Sequence, residues 1–383
     1  MLMVHLNHFH RLFLQLTVLL TVSVTSAVAG VIPLFNPADP QLYENSFSLK
    51  ANTYLTNDPF TLKDLLLNGM KGKEHARSGD NIALAVERAS FGYGDRKYGY
   101  IAYVYREEIF FKMTKDTVDL IYEATNKIDL KTGRNYNLYL LLKAYKMQGI
   151  AYSNSICFYK KNGWKMYFGG SVELLYASEM QDGYVRGNAI ANTSKDYSFF
   201  GVSNYNYTHN YLYDLNVNAS DAYGFSTHFS LSAQKGKFHF LFLANDLFSR
   251  LYWSALPYSD VLLSSDNKEY DAEGYVKYKP LLKGKDGYTK YQQALMQKYR
   301  FHVAYSYNNR LCFSMGSDYM ESVVMPYGEA RYKFTKDFSL KMGYETRFGA
   351  VTLLSRYKNI TIGLTADDLF KPSTMGLSLK MVF

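Results

Sequence analysis

The chain is short of the features that usually define a protein's class. Of 383 residues only two are cysteine, Cys157 and Cys312. That excludes a disulfide framework and a cysteine-held metal cluster. Alternation puts both cysteines on one interior face, and a single bridge or two small wall residues both fit. Proline is scarce at eight residues, which fits long strands joined by Gly, Asn, Asp and Lys turns. Past residue 30 no apolar run reaches about 18 residues, which excludes a helical membrane protein. No His-Glu-x-x-His, calcium loop or cysteine pair at metal spacing is present, so no cofactor is expected.

What is abundant is tyrosine, with 37 residues, and aromatics together make up 17%. Tyrosine is amphipathic and favours strands and membrane interfaces. The net charge of +9 is dispersed along the sequence, which argues against a nucleic-acid partner. Residues 1–29 read as an export signal: Arg11, an apolar run from Leu12 to Leu20, then Ala27-Val28-Ala29 as a small-residue cleavage site. No cysteine stands there to carry a lipid anchor. At the other end Leu377, Leu379, Met381 and Phe383 share one strand face, while Gly376, Ser378 and Lys380 share the other. Lipid on one side and water on the other demand that division.

Between these ends the pattern is all-β. Residues 30–42, with Pro33, Pro37 and Pro40, cannot form a regular element and are expected as a periplasmic amino-terminal segment. Residues 43–383 are expected to form a single transmembrane antiparallel barrel with long loops at 56–79, 113–133 and 254–298. Strands are read at 43–55, 81–93, 98–111, 134–160, 164–178, 197–213, 223–234 and 237–250. They resume at 300–308, 310–321, 327–334, 338–348, 350–357, 360–367 and 374–383. Leu62, Leu65 and Leu66 predict a short helix in an extracellular loop or partial plug. Val118, Ile121, Thr125 and Ile128 predict a helix over 114–128, capped by Thr114 or Asp116, in a loop or the pore mouth. Tyr288–Tyr299 has a helical pattern at the end of a polar loop. The count is sixteen strands if 134–160 is broken near Gly149, fourteen if two breaks are false, within a range of 12–16.

Strand parity turns Glu329, Arg331, Lys333, Lys341, Glu345, Arg347, Arg356 and Lys380 inward, together with His228. Six of the first eight are cations. Clustered, they would favour anionic solutes; paired across strands, they would only keep the lumen wet. His228 lies among Ser226, Ser230 and Ser232, a Ser–His arrangement that could serve hydrolysis, but no carboxylate is assigned to orient it.

Two resemblances refine this. The closing strand, with Leu377, Leu379, Met381 and Phe383, resembles the carboxy-terminal assembly signal of Gram-negative outer-membrane barrels. It implies insertion by the barrel-assembly machinery into outer-membrane lipid and lipopolysaccharide. Phe35-Asn36-Pro37-Ala38 is similar to the Asn-Pro-Ala segment of the long-chain fatty-acid transporter superfamily. That family implies fourteen strands, an amino-terminal plug anchored in part by Asn36, Pro37 and Ala38, and hydrophobic substrates. Asp39 stands where glycine is common in that family. The expected function is an outer-membrane channel passing small solutes by passive diffusion, loop-gated and mildly anion-favouring. The alternatives are a non-transporting envelope barrel that anchors a protein partner in secretion or surface-polymer assembly, and an integral hydrolase.

Overall fold

The computed structural model describes residues 31–70, 72, 75–208, 217–265, 268–278 and 281–383. The expected export signal lies outside them. The wall begins with β1 (Glu44–Asn57), β2 (Asn81–Asp95), β3 (Gly99–Met113), β4 (Asn135–Lys161) and β5 (Trp164–Ala191). It continues with β6 (Tyr197–Tyr207), β7 (Ala222–Lys235) and β8 (Phe238–Ser264). A small hairpin, β9 (Lys268–Tyr270) and β10 (Val276–Tyr278), stands apart from the wall. Then come β11 (Leu281–Gln293), β12 (Lys298–Ser306), β13 (Leu311–Met320), β14 (Val323–Lys333) and β15 (Phe338–Glu345). The last three are β16 (Val351–Tyr357), β17 (Ile360–Ala366) and β18 (Thr374–Val382). β18 pairs antiparallel with β1 from Ser48–Val382 to Thr56–Thr374, which closes the sheet. Closure matters because lipid tolerates no unpaired strand edge.

The barrel has fourteen wall positions. β4 is unbroken through Gly149. β6 and β7 stack in one position, both between β5 and β8: β6 pairs with the upper halves and β7 with the lower. β11 and β12 share another position beside β8.

Two expectations for the 254–298 stretch need correction. The 254–298 loop is mostly wall, because β8 runs on to Ser264 and β11 returns from Leu281. Of the stretch Tyr288–Tyr299, the part up to Gln293 belongs to β11 and Lys298 and Tyr299 to β12; the four residues between them are irregular, and none is helical. The extensions of β4, β5, β8 and β11 rise toward the long-loop end, where Lys143, Asp182, Asp260, Lys283 and Lys285 replace the apolar alternation. With water on both faces, the sequence keeps no period of two, and polar strand reads as loop.

Outward positions below those extensions carry the apolar belt. Ile101, Ile150, Leu174, Met315, Met342 and Leu364 are all more than half exposed. Lys146 and Glu179, paired at 3.1 Å on the same outer face, mark where the belt ends. Above them the two helices lie on the outer face, not in the pore mouth. Helix α1 (Leu62–Leu66) and Val118 of helix α2 (Lys115–Asn126) pack with Ala83, Ala85, Ile109 and Phe111. Thr114 caps α2, its hydroxyl accepting from the Thr117 N–H. Lys127 at the end of α2 pairs with Asp271 beside β9 at 2.8 Å, and this hydrogen bond holds the Asp271 carboxyl down to about 2.

Ile362 sits outward midway along β17, half exposed. Replacing it by lysine should lower stability in vesicles by about 2–4 kcal/mol, as expected for a charge at the lipid midplane. Ile362→Leu should cost less than about 1.5 kcal/mol. Urea titration of the reconstituted barrel measures both.

Candidate functional site

The site is the lumen, which is occupied by the chain's own beginning. Residues 31–43 do not project from the barrel end; they return inside it. Three prolines bar that segment from a ladder, so wall side chains satisfy its backbone. Asp318 accepts from the N–H groups of Val31 and Ile32 at 2.8 and 3.0 Å, and Arg300 donates to the Ile32 carbonyl at 2.7 Å. Asn245 acts as a one-residue strand neighbour. Its oxygen accepts from Phe35 N–H at 2.7 Å and its amide donates to Phe35 O at 2.9 Å.

The Asn-Pro-Ala residues shape the turn below. Asn36 Oδ1 accepts from Ala38 N–H at 3.0 Å, and Asn36 O accepts from Asp39 N–H at 3.2 Å. Asp39 then caps the single 3₁₀ turn Pro40–Tyr43 and takes Lys380 at 2.8 Å. Gly169 makes room for this turn, since a Cβ there would stand 2.6 Å from Ala38 N.

Behind Phe35 lies a layer of buried charge. Arg106, with no solvent exposure, reaches Glu108, Glu173 and Asp246 at 2.7 to 2.9 Å. Lys298 bridges Asp246 and Glu108 at 2.8 and 2.7 Å. Arg88 holds the other oxygen of Glu173. Tyr145 donates to Glu108 at 2.6 Å and Ser226 to Asp246 at 2.7 Å. His228 Nδ1 accepts from Asp246 N–H, which leaves the proton on Nε2, 3.0 Å from Glu173.

A bulge builds this layer. The β7–β8 register shifts between Ser226 and His228, and Asp246 takes a left-handed backbone at φ 60°. Asn245 and Asp246, adjacent in sequence, therefore both face the lumen, one serving Phe35 and the other Arg106. The Phe35 ring covers the layer, with the Arg88 guanidinium 5.4 Å and the Lys50 ammonium 5.7 Å from its centroid. Toward the long-loop end the lumen turns apolar, filled by Trp253, Leu256, Leu295, Met296, Met320 and Met325 packed with Ile32 and Leu34.

The residues chosen by parity are divided. Lys380 and His228 belong to the segment and the charged layer. Glu329 and Lys341 pair with each other at 2.8 Å, and Ser314 donates to Glu329. Arg331, Lys333 and Arg356 are exposed toward the short-turn mouth. Glu345 is buried and accepts from the Phe348 N–H. Arg347 lies past the end of β15 in a turn, where strand parity no longer applies, and forks onto Asp58 at 2.6 and 2.7 Å.

Parity overlooked Arg106, Glu108, Asp246, Lys298, Arg300 and Asp318. The available signal was charge inside otherwise aromatic strands, as in Arg106-Glu107-Glu108. Cys157 and Cys312 are free thiols. No cluster of three metal-ligating side chains occurs among the described residues. Ser232 and His239 stand 3.0 Å apart, and among the described residues no carboxylate is hydrogen-bonded to His239.

Arg106→Ala would leave three buried carboxylates with two cations, Lys298 for Glu108 and Asp246 and Arg88 for Glu173. It should cost about 3–5 kcal/mol, the size seen when one member of a buried ionic network is removed. Arg106→Lys should recover part of that loss. Urea unfolding followed by tryptophan fluorescence reads the difference.

No family model matches the chain, and no curated protein does. Among solved structures, a deletion mutant of TodX described as a monoaromatic hydrocarbon channel is 12% identical with a TM-score of 0.45, over 94% of this chain and 95% of that one. The Pseudomonas putida toluene transporter TodX itself is 12% identical at 0.40, over 94% and 93%. A Pseudomonas aeruginosa FadL homologue is 10% identical at 0.26, over 94% and 96%. At such values these likenesses carry no argument, and function rests on the geometry.

Proposed function

We propose that this protein is an outer-membrane channel of a Gram-negative bacterium, closed at rest by its own residues 31–43. The observation that carries the reading is how that segment is held. It joins no strand ladder and is bound through side chains of Asp318, Arg300, Asn245 and Lys380. Each such hydrogen bond contributes about 1 kcal/mol net, more when charged. A segment tied by a handful of them can leave while the wall stays intact. Both described ends of the barrel wall lie at the short-turn end, which in this reading faces the periplasm. Leu377, Leu379, Met381 and Phe383 then present the outward face of the last strand to the barrel-assembly machinery. The long-loop end faces lipopolysaccharide.

The gate is thus the amino-terminal segment rather than the loops, whose helices pack on the outer face. The apolar upper lumen around Trp253 and Met296 suits a small apolar or amphipathic solute moving passively down its gradient. Anion preference has no support here, because the buried cations Arg88, Arg106, Lys298 and Arg300 each have a carboxylate partner.

The filled lumen also favours a second reading, a sealed barrel that anchors a partner in the envelope. Planar-bilayer recording separates the two. The intact protein should be silent or flicker briefly, and a variant lacking residues 31–39 should give discrete open steps without anion preference. Continued silence of a correctly inserted variant would transfer the assignment to the sealed anchor.

A further inference from the structure

Every turn at the end of the barrel where β1 begins and β18 finishes has a cation in it or directly beside it. Lys97, Lys161, Lys237, Arg310, Lys336 and Lys358 come one from each, and all six are exposed. They are scattered in sequence because each hairpin returns its own to the same rim. Only Glu44, Asp95 and Asp337 oppose them in and beside these turns. Among the described residues none of the six cations is in an ion pair. Loop-end cations behave differently: Lys127 pairs with Asp271 and Glu273, Arg134 with Asp119, and Lys268 with Asp196.

A second observation places the rim lysines against the outer wall. Lys97 lies 4.9 Å from the centroid of Tyr98, Lys235 4.9 Å from Trp164, Lys237 5.9 Å from Tyr305 and Lys358 5.4 Å from Tyr357. By register Trp164, Tyr305 and Tyr357 are on the lipid side. An ammonium resting on an outward aromatic face is held where the apolar belt meets water. That is the depth of phospholipid phosphates.

We infer that this rim is a collar that binds the phosphate groups of anionic phospholipids in the adjoining leaflet. The inference rests on the membrane reading above. The occupant follows from the distribution. An acidic protein would need cations gathered on one sector, whereas these ring the whole circumference and half of their turns add an outward aromatic rest. Lipid headgroups are the partner that surrounds a barrel on all sides.

The test uses refolded protein in phosphatidylcholine vesicles with and without phosphatidylglycerol. After detergent extraction, mass spectrometry counts the phospholipid retained. One lysine near an anionic surface is worth about fivefold in binding. The variant Lys97→Gln/Lys235→Gln/Lys237→Gln/Lys358→Gln should therefore lose the wild-type enrichment in phosphatidylglycerol by tenfold or more, and raised salt should erase it in the wild type. Equal retention of the two lipids by wild type, or undiminished enrichment in the variant, would overturn the collar. So would preferential capture of polyglutamate over phosphatidylglycerol vesicles. Insertion into neutral vesicles is scored separately by heat-modifiable gel migration; failure there would remove the membrane reading and the collar with it.

Discussion

The interior of this barrel is organised around one guanidinium. Arg106 has no contact with solvent, so its charge must be met by protein. It is met by Glu108 on its own strand, Glu173 on β5 and Asp246 on β8. Lys298 carries the connection to β12. Strands β3, β5, β8 and β12 are thereby joined across the lumen rather than along the sheet. A wall that could enclose open water is bridged by charge instead. The amino-terminal segment lies against that bridge through Phe35, and the apolar filling begins above it. Removing the guanidinium would take away the floor on which both rest.

The same layer explains why the wall is irregular where it is. Positioning Asp246 for Arg106 and Asn245 for Phe35 requires two successive residues to face inward, which a regular strand forbids. The bulge beside His228 supplies this, at the strain of a left-handed aspartate. Just above that level β7 gives way to β6, and near it β12 gives way to β11. The two broken wall positions thus flank β8, the strand that carries the bulge.

Much of the architecture was legible in the sequence and the reasons are specific. Phe338, Leu340, Met342 and Tyr344 alternate with Ser339, Lys341, Gly343 and Glu345 because lipid and lumen impose a period of two. Where lipid stops, the signal stops: the polar stretch from Tyr258 to Gln293 hides two strand extensions. The α2 helix was visible from its changed period and its Thr114 cap, but not its seat on the outer face, which depends on Ile109, Phe111 and Leu142 from two strands. The candidate site was less legible. Parity names single residues, and the charged layer is a meeting of residues as far apart as Arg106 and Lys298. The Asn36-Pro37-Ala38 turn was legible as a local feature, but its seat inside the lumen was not: residues 30–42 read as a periplasmic segment because three residues can write a turn without writing the distant partners Asn245, Arg300 and Asp318.

Residues 31–39 occupy the lumen of the folded protein. Hydrogen exchange of the refolded barrel, read by mass spectrometry on peptides covering 31–43, tests this most directly. The N–H groups of Ile32 and Phe35 donate to the buried side chains of Asp318 and Asn245. They should exchange more slowly than in an unstructured chain by on the order of a hundredfold or more, and Asp318→Asn should speed the first of them. Exchange at the unstructured rate throughout 31–43, in a barrel whose strands remain protected, would place the segment outside the lumen.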